Sequence, residues 1–203
     1  MNQIEKIINE NPALAPCKEA MEQITETIVA MHKRGGKLLL CGNGGSAADC
    51  EHISGELLKG FLSKRPLSAD TLPGLDAEIR EKLQRGIGAV PLTSLSALGT
   101  AFANDVDPNL SFAQAVLALG QKEDVVLGIS TSGNAKNVTA ALQVAKAMGL
   151  KTLAMTGEGG GKMKLIADIT LAVPEHETYK VQQLHLPAYH AICAEVERVL
   201  FED

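Results

Sequence analysis

Two short segments rich in glycine and hydroxyl residues have the composition of an anion-binding turn. Gly42-Asn-Gly-Gly-Ser46 and Ser130-Thr-Ser-Gly-Asn134 each follow an apolar run and precede a stretch with helical spacing. Backbone N–H groups at such a turn, with the N-terminus of the following helix, attract negative charge. Because neither segment contains Lys or Arg, the pair predicts a site for a small monophosphate ester rather than a triphosphate.

Neither segment matches a common nucleotide-binding motif. The chain contains no GxxxxGK[ST], which excludes a P-loop. Gly42, Gly44 and Ala47 fit the loose dinucleotide fingerprint, but that fingerprint expects an acidic residue about 20 positions later. Here that region, 61–66, is basic and does not resemble a strand. Each segment alone could be an ordinary helix cap, whereas two of them in one sheet favour a binding site.

A histidine and a carboxylate lie one helical turn apart, at His52 and Glu56. At this spacing they share a helix face and could share a metal ion or a proton, although an isolated pair is more often a surface pair. Gln182 and His190 lie about 12 Å apart along an ideal helix, and Pro187 removes a backbone donor between them. One ion would reach both only if the helix bends or starts late, or if two subunits contribute.

The elements that must position these residues alternate between strand and helix. Strands are predicted at 37–41, 88–92, 124–129, 151–155 and 169–173, and the main helices at 13–34, 46–59, 134–148 and 181–201. This order predicts a doubly wound parallel sheet flanked by helices, a flavodoxin-like three-layer α/β sandwich. The prediction is one domain spanning 1–203, with an N-terminal helical segment at 1–34. Both segments rich in glycine and hydroxyl residues, 42–46 and 130–134, would then follow the carboxyl ends of strands, where open parallel sheets bind ligands.

The segment 63–86 departs from this order. It is polar, carries two prolines, and contains a possible short helix at 76–85. We predict a surface insertion there, most simply an extended loop without a function of its own. A lid or an oligomer contact are the alternatives.

Composition excludes several classes of partner. Aromatic residues make up 3% of the chain and the net charge is −5, which argues against base stacking and phosphate-backbone binding, and so against a nucleic-acid partner. The four cysteines form no CxxC pair, which disfavours a zinc ribbon and a thioredoxin-like site and suggests buried, reduced thiols. With no secretory signal and no apolar run long enough for a membrane, the chain is expected to be cytoplasmic.

Together the motifs resemble the sugar isomerase (SIS) domain family, over nearly the whole chain and in the family's order. The matching segments are Cys41-Gly-Asn-Gly-Gly-Ser-Ala-Ala-Asp49, His52-x-x-x-Glu56, Ala103-Asn-Asp105, Gly128-Ile-Ser-Thr-Ser-Gly-Asn134, Leu153-Ala-Met-Thr-Gly157 and Gln182-x₇-His190. Within the family, the pattern is most similar to the members that isomerise sedoheptulose 7-phosphate.

The resemblance implies an aldose–ketose isomerase that works through an enediol, in the heptose branch of lipopolysaccharide synthesis. It implies a homotetramer with active sites between subunits and one zinc ion per subunit. Glu56 would be the base and His190 the acid, and the metal-site positions are His52, Glu56, Gln182 and His190. The substrate and phosphate positions are Asn43, Gly44, Gly45, Ser46, Asp105, Ser130, Thr131, Ser132, Asn134 and Gln182.

Four features depart from the family pattern. Ala135 replaces a further phosphate-binding serine, Tyr179 stands where some members carry Asp, Lys59-Gly60 replaces a Gly-Arg pair, and 63–86 exceeds the usual loop length. An isomerase for a different phosphosugar is therefore one alternative. Another is a non-catalytic SIS protein that binds a phosphosugar or acts through a protein partner, like the relatives associated with replication initiators. Those relatives tend to lose the His/Glu residues, so their retention favours the enzyme.

Overall fold

The strands form one fully parallel sheet, as predicted. The computed structural model describes residues 2–202. Its strands are β1 (Leu38–Gly42), β2 (Ala89–Pro91), β3 (Val125–Ser130), β4 (Lys151–Thr156) and β5 (Ile169–Ala172). They lie in the order β2-β1-β3-β4-β5, with Leu38 beside both Ala89 and Val125. This is the flavodoxin-like order.

Eight α-helices surround the sheet in the described residues. They are α1 (Gln3–Glu10), α2 (Lys18–Lys33), α3 (Gly45–Leu58), α4 (Ala77–Lys82), α5 (Ser96–Asp105), α6 (Ser111–Leu119), α7 (Lys136–Ala147) and α8 (Thr178–Phe201). None of these helices is both long and apolar enough to cross a membrane. The predicted helix at 13–34 begins later, because residues 12–17 form a 3₁₀ helix containing two prolines, which lack the N–H that an α-helix needs. Helix α5 was not predicted. It buries no residue, so its sequence shows no apolar stripe at helical spacing.

The core occupies both faces of the sheet, because successive strand residues point to opposite sides. Leu38 and Leu40 pack with buried residues of α1, α2, α3 and α8. Leu39 and Cys41 pack with buried residues of α6 and α7. This alternation confirms the three-layer sandwich. All four cysteines are free and buried, and burial raises the pKa of Cys41 to about 12, so this thiol stays protonated.

The segment 63–86 is mostly exposed but is tied to the core by one buried arginine. Arg65 Nε donates to Glu197 Oε1 on α8 at 2.6 Å, and its Nη1 donates to the Leu57 carbonyl at 2.8 Å. Glu197 also accepts the backbone N–H groups of residues 61–63. Both side chains of the ion pair are fully buried. The entrance to this segment is therefore fixed against α8.

Candidate active site

A cleft opens at the carboxyl ends of β1 and β3. From β1 the chain proceeds to β2 on one side, and from β3 it proceeds to β4 on the other. Connections that leave neighbouring strands in opposite directions create the crevice in which doubly wound sheets bind ligands. The cleft has a volume of about 310 Å³ and is lined by Asn43, Gly44, Gly45, Ser46, Ile129, Ser130, Thr131, Ala135, Thr178 and Gln182.

Two glycines are required where β1 turns into α3. Gly44 has φ +56°, a left-handed conformation that strains other residues. A Cβ atom on Gly45 would lie 2.3 Å from Gln182 Nε2. The glycines therefore allow Gln182 of α8 to approach the backbone at the N-terminus of α3, where N–H groups favour an anion.

A reciprocal pair of amide hydrogen bonds joins the two loops. Asn43 Nδ2 donates to Asn137 Oδ1 at 2.9 Å, and Asn137 Nδ2 donates to Asn43 Oδ1 at 2.9 Å. Asn137 was not predicted as a site residue. Its position in the first turn of α7, just after the second loop, is the sequence feature that could have indicated it.

Most of the predicted substrate residues line the cleft, but three do not. Ser132 and Asn134 are exposed and shape the loop: Asn134 Nδ2 donates to the Ser132 carbonyl, and its Oδ1 accepts the Lys162 N–H. Asp105 is exposed at the end of α5, where Asn104 Nδ2 donates to it. Within one chain, therefore, these three residues lie outside the cleft.

Thr178 lines the cleft but was not predicted as a site residue. The predicted helix began at 181, whereas α8 begins at Thr178. Thr178 therefore lies one helical turn before Gln182 on the same face. The spacing of four residues between Thr178 and Gln182 is the sequence feature that could have indicated Thr178 as a cleft residue.

The second group of predicted residues meets where α3 packs against α8. Ligand atoms of His52, Glu56 and His190 all lie within 4.8 Å of one another. His52 Nε2 is 3.2 Å from Glu56 Oε1 and 3.2 Å from His190 Nε2. Burial, followed by the nearby His52, lowers the pKa of His190 although Glu56 opposes the shift. This shift favours the neutral imidazole of His190.

The two carboxylate oxygens of Glu56 face different groups. Oε1 points toward His52, whereas Oε2 accepts a hydrogen bond from Lys59 Nζ at 3.1 Å. Lys59 is one of the departures from the family pattern. The departure therefore places a cation directly on the carboxylate of the cluster.

Two further residues, Tyr189 and Asp49, form hydrogen bonds on the Nδ1 side of the His52 ring, away from Glu56 and His190. Tyr189 Oη lies 2.9 Å from His52 Nδ1, and it donates to Asp49 Oδ1 at 3.3 Å. Burial, reinforced by Asp49, raises the pKa of Tyr189. Burial also raises the pKa of Asp49, against the opposing effects of Tyr189 and His52. Neither residue was predicted as a site residue, although each adjoins a predicted one: Asp49 precedes His52 by one turn and Tyr189 precedes His190.

Helix α8 carries residues of both regions. It continues through Pro187 from Thr178 to Phe201, so it does not start after Gln182. Gln182 reaches the cleft, and His190 lies eight residues later, about 12 Å along the axis. Helix α3 runs in the same way from Ser46 in the cleft to Glu56 in the cluster. Two packed helices thus link the anion cleft to the His/Glu/His cluster.

The cluster has the donor set of a catalytic zinc site. Two imidazole nitrogens and one carboxylate oxygen are a common set of three protein ligands, with a further position left open for water or substrate. His52, Glu56 and His190 therefore fit zinc. Gln182, the fourth predicted ligand, lies in the cleft against Gly45.

The fold defines a doubly wound α/β domain with a cleft at the carboxyl ends of its central strands. Residues 11–157 match the SIS domain. The chain belongs to the SIS domain family.

The similar proteins described next are all phosphoheptose isomerases. The chain is 40% identical over 180 residues to a phosphoheptose isomerase of Roseiflexus sp., covering 89% of this chain and 82% of that one. It is 39% identical to a phosphoheptose isomerase of Helicobacter pylori, covering 92% and 87%. Among solved structures, phosphoheptose isomerase GmhA from Neisseria gonorrhoeae matches with a TM-score of 0.77 and 32% identity, covering 95% and 93%.

Proposed function

We propose that the protein is an aldose–ketose isomerase that converts sedoheptulose 7-phosphate to D-glycero-D-manno-heptose 7-phosphate. The observation that carries this proposal is the pair of helices, α3 and α8, that joins an anion cleft to a His/Glu/His cluster. The similar phosphoheptose isomerases support the same reaction. We also propose that the product enters heptose synthesis for lipopolysaccharide.

The substrate's phosphate and its reacting carbons lie at opposite ends of a seven-carbon chain. We place the phosphate in the cleft, at the N-terminus of α3 and against the hydroxyls of Ser46, Ser130 and Thr131, with Asn43 beside the sugar. The separation of about 12 Å between Gln182 and His190 along α8 then leaves room for an extended chain. Ser132, Asn134 and Asp105 remain proposed substrate residues, and in our proposal a neighbouring subunit brings Asp105 to the site.

Isomerisation moves a proton from C1 to C2 of the ketose. Glu56 takes the proton from C1 and returns it to C2 of the enediol intermediate, while His190 donates a proton to O2 and accepts one from O1. A neutral imidazole can perform both transfers at one nitrogen, which gives its N–H proton to O2 and then takes the O1 proton back, while the lone pair of the other nitrogen stays available to a metal ion. The lowered pKa of His190 supports this role.

We propose that His52, Glu56 and His190 hold one Zn²⁺ per subunit. Gln182, the fourth predicted ligand, lies about 12 Å from His190 along α8, so in our proposal a neighbouring subunit supplies it. Such an ion would polarise the substrate oxygens and stabilise the negative charge that develops there. Oε1 of Glu56 faces His52 and would bind the ion, and Oε2 would act as the base once the Lys59 ammonium, which holds it at 3.1 Å, turns away.

We propose a cytoplasmic homotetramer with active sites at subunit contacts. Leu58 and Leu62, next to the catalytic end of α3, are 51% and 60% exposed, and Leu186 on α8 is also exposed. Apolar side chains grouped around a site suit coverage by a second subunit. The four free, buried thiols are typical of a reducing compartment.

The test is an assay of purified protein, confirmed as a tetramer by light scattering, with sedoheptulose 7-phosphate and with or without zinc. We expect zinc-dependent formation of the aldose. Glu56→Gln should lower kcat by roughly 10²–10⁴-fold, the usual contribution of a positioned general base. Calorimetry should show that this variant still binds the ketose phosphate, because the cleft is unchanged. Full activity in Glu56→Gln would remove Glu56 from the base role.

Two other functions are outcomes of the same assay. Turnover of a different ketose phosphate, with none of sedoheptulose 7-phosphate, would indicate that Lys59 and the 63–86 segment select another sugar. Phosphosugar binding without turnover of any substrate would indicate a non-catalytic SIS protein. The assembled His52, Glu56 and His190 cluster favours the enzyme.

A further inference from the structure

A chain of hydrogen bonds runs from Asp49 through Tyr189 to His52. We propose that Asp49 and Tyr189 are positioning residues that hold His52 in one tautomer, with the proton on Nδ1 and the Nε2 lone pair directed at Glu56 and His190. The proposal deepens the proposed function and depends on it, because His52 Nε2 is the atom that would bind the ion.

The number of hydrogen-bond donors among Asp49, Tyr189 and His52 determines the tautomer of His52. A neutral imidazole has one N–H and one lone pair, a phenol has one O–H, and a carboxylate only accepts. If Tyr189 donated its proton to His52 Nδ1, Asp49 Oδ1 would face phenol lone pairs. Asp49 would then have no side-chain donor at either oxygen, since its Oδ2 is already buried without a partner in the described chain.

The opposite arrangement satisfies the contacts among Asp49, Tyr189 and His52. Tyr189 donates to Asp49 Oδ1, and its oxygen accepts the Nδ1–H of His52. Tyr189 is only 2% exposed, so water has little access to replace the phenol as the acceptor. Since Nδ1 carries the proton, Nε2 is left with a lone pair 3.2 Å from His190 Nε2, which can donate to it. The lone pair also lies 3.2 Å from Glu56 Oε1, a second acceptor, so this contact becomes favourable when a cation lies between the two atoms.

Packing holds the phenol in this place. The Tyr189 ring meets the His52 ring edge-on, with centroids 5.4 Å apart, and the His190 ring at 5.1 Å. Tyr189 and His190 are neighbours on α8, so one helix supplies both the proposed acid and the support for a proposed metal ligand on α3. Partners of this kind behind a ligating histidine typically change metal affinity by about 10–100-fold.

The experiment removes the hydroxyl alone with Tyr189→Phe. In the metal-free protein at mildly alkaline pH, long-range ¹H–¹⁵N NMR should show His52 with the proton on Nδ1, and the variant should shift toward the Nε2–H form. Zinc affinity, measured by competition with a chromophoric chelator, should fall by about 10–100-fold. Tyr179→Phe is the matched control, because Tyr179 is 57% exposed and should keep wild-type zinc affinity.

A second variant tests the origin of the effect. Asp49→Asn keeps an acceptor oxygen but removes the charge, so its zinc affinity should lie between those of the wild type and Tyr189→Phe. A wild-type His52 with its proton on Nε2, or an unchanged zinc affinity in Tyr189→Phe, would overturn the inference. Failure of the wild type to isomerise sedoheptulose 7-phosphate, with the tautomer and affinity shifts intact, would overturn the proposed function alone.

Discussion

Thr178 and Ala135 reach the same cleft from different elements. Ala135 stands where the resemblance implies a phosphate-binding serine, so the second loop has one hydroxyl fewer than the family pattern. Thr178, in the first turn of α8, brings a hydroxyl to that cleft from another direction. We interpret Thr178 as the residue that compensates for Ala135.

Thr178→Val should therefore weaken substrate binding more than it slows the reaction. A hydrogen bond to a charged group contributes about 1.5–3 kcal/mol, which corresponds to an increase in KM of roughly tenfold or more with kcat nearly unchanged. Steady-state kinetics would measure it, with Thr178→Ser as the matched control that keeps the hydroxyl. Ala135→Ser added to Thr178→Val should recover part of the loss, and an unchanged KM in Thr178→Val would contradict the interpretation.

At the scale of elements, α8 connects the parts of the molecule that act together. Gln182 lies in the cleft, His190 lies in the cluster, and Glu197 holds the chain that enters the 63–86 segment. Burial by itself acts to raise the pKa of Glu197, but the backbone N–H donors and Arg65 outweigh it and lower the pKa. Glu197 is thus a buried carboxylate that depends on its partners.

Arg65→Met should destabilise the fold by about 3–5 kcal/mol, because it leaves a buried carboxylate without its cation. Denaturant unfolding would measure the loss. Arg65→Met combined with Glu197→Gln should be more stable than Arg65→Met alone, since the glutamine still accepts the backbone donors but carries no charge. A single variant as stable as the wild type would show that the pair does not hold the segment.

At the scale of the whole molecule, α8 also brings a buried histidine against the sheet. His185 is fully buried, and its Nε2 lies 3.2 Å from the Thr156 carbonyl at the end of β4. Burial lowers the pKa of His185 from 6.5 to about 4, although the Thr156 carbonyl opposes the shift. The folded protein therefore keeps this imidazole neutral.

This burial predicts a specific loss of stability in acid. Between pH 6.5 and about 4 the unfolded chain binds a proton at His185 that the folded chain does not, so the free energy of unfolding falls with falling pH. The contribution is of the order of 3 kcal/mol at the lower end of this range. His185→Gln should flatten this part of the pH dependence of urea unfolding, whereas exposed His176→Gln should not. Equal slopes in His185→Gln and the wild type would contradict the assignment.

The α/β layers and most of the cleft residues could be predicted from the sequence, because each depends on a pattern of residues that are close together along the chain. Apolar runs such as 124–129 predict buried parallel strands, and the strand-to-helix glycines at Gly44 and Gly45 predict an anion-binding turn. Helix α5 escaped prediction because it buries no residue and so has no apolar periodicity. Thr178 escaped because the first turn of α8 is polar and exposed.

The fold class, the two loops and the i, i+4 pair on α3 can be predicted from the amino-acid sequence, since each depends on neighbours along the chain. The distant residues that join them become visible only in the folded protein. Tyr189 meets His52 across 137 positions, and Asn137 meets Asn43 across 94. Such contacts depend on how α3 and α7 lie on the sheet and how α8 crosses α3. The packing of whole layers sets these positions, and no local pattern of residues encodes it.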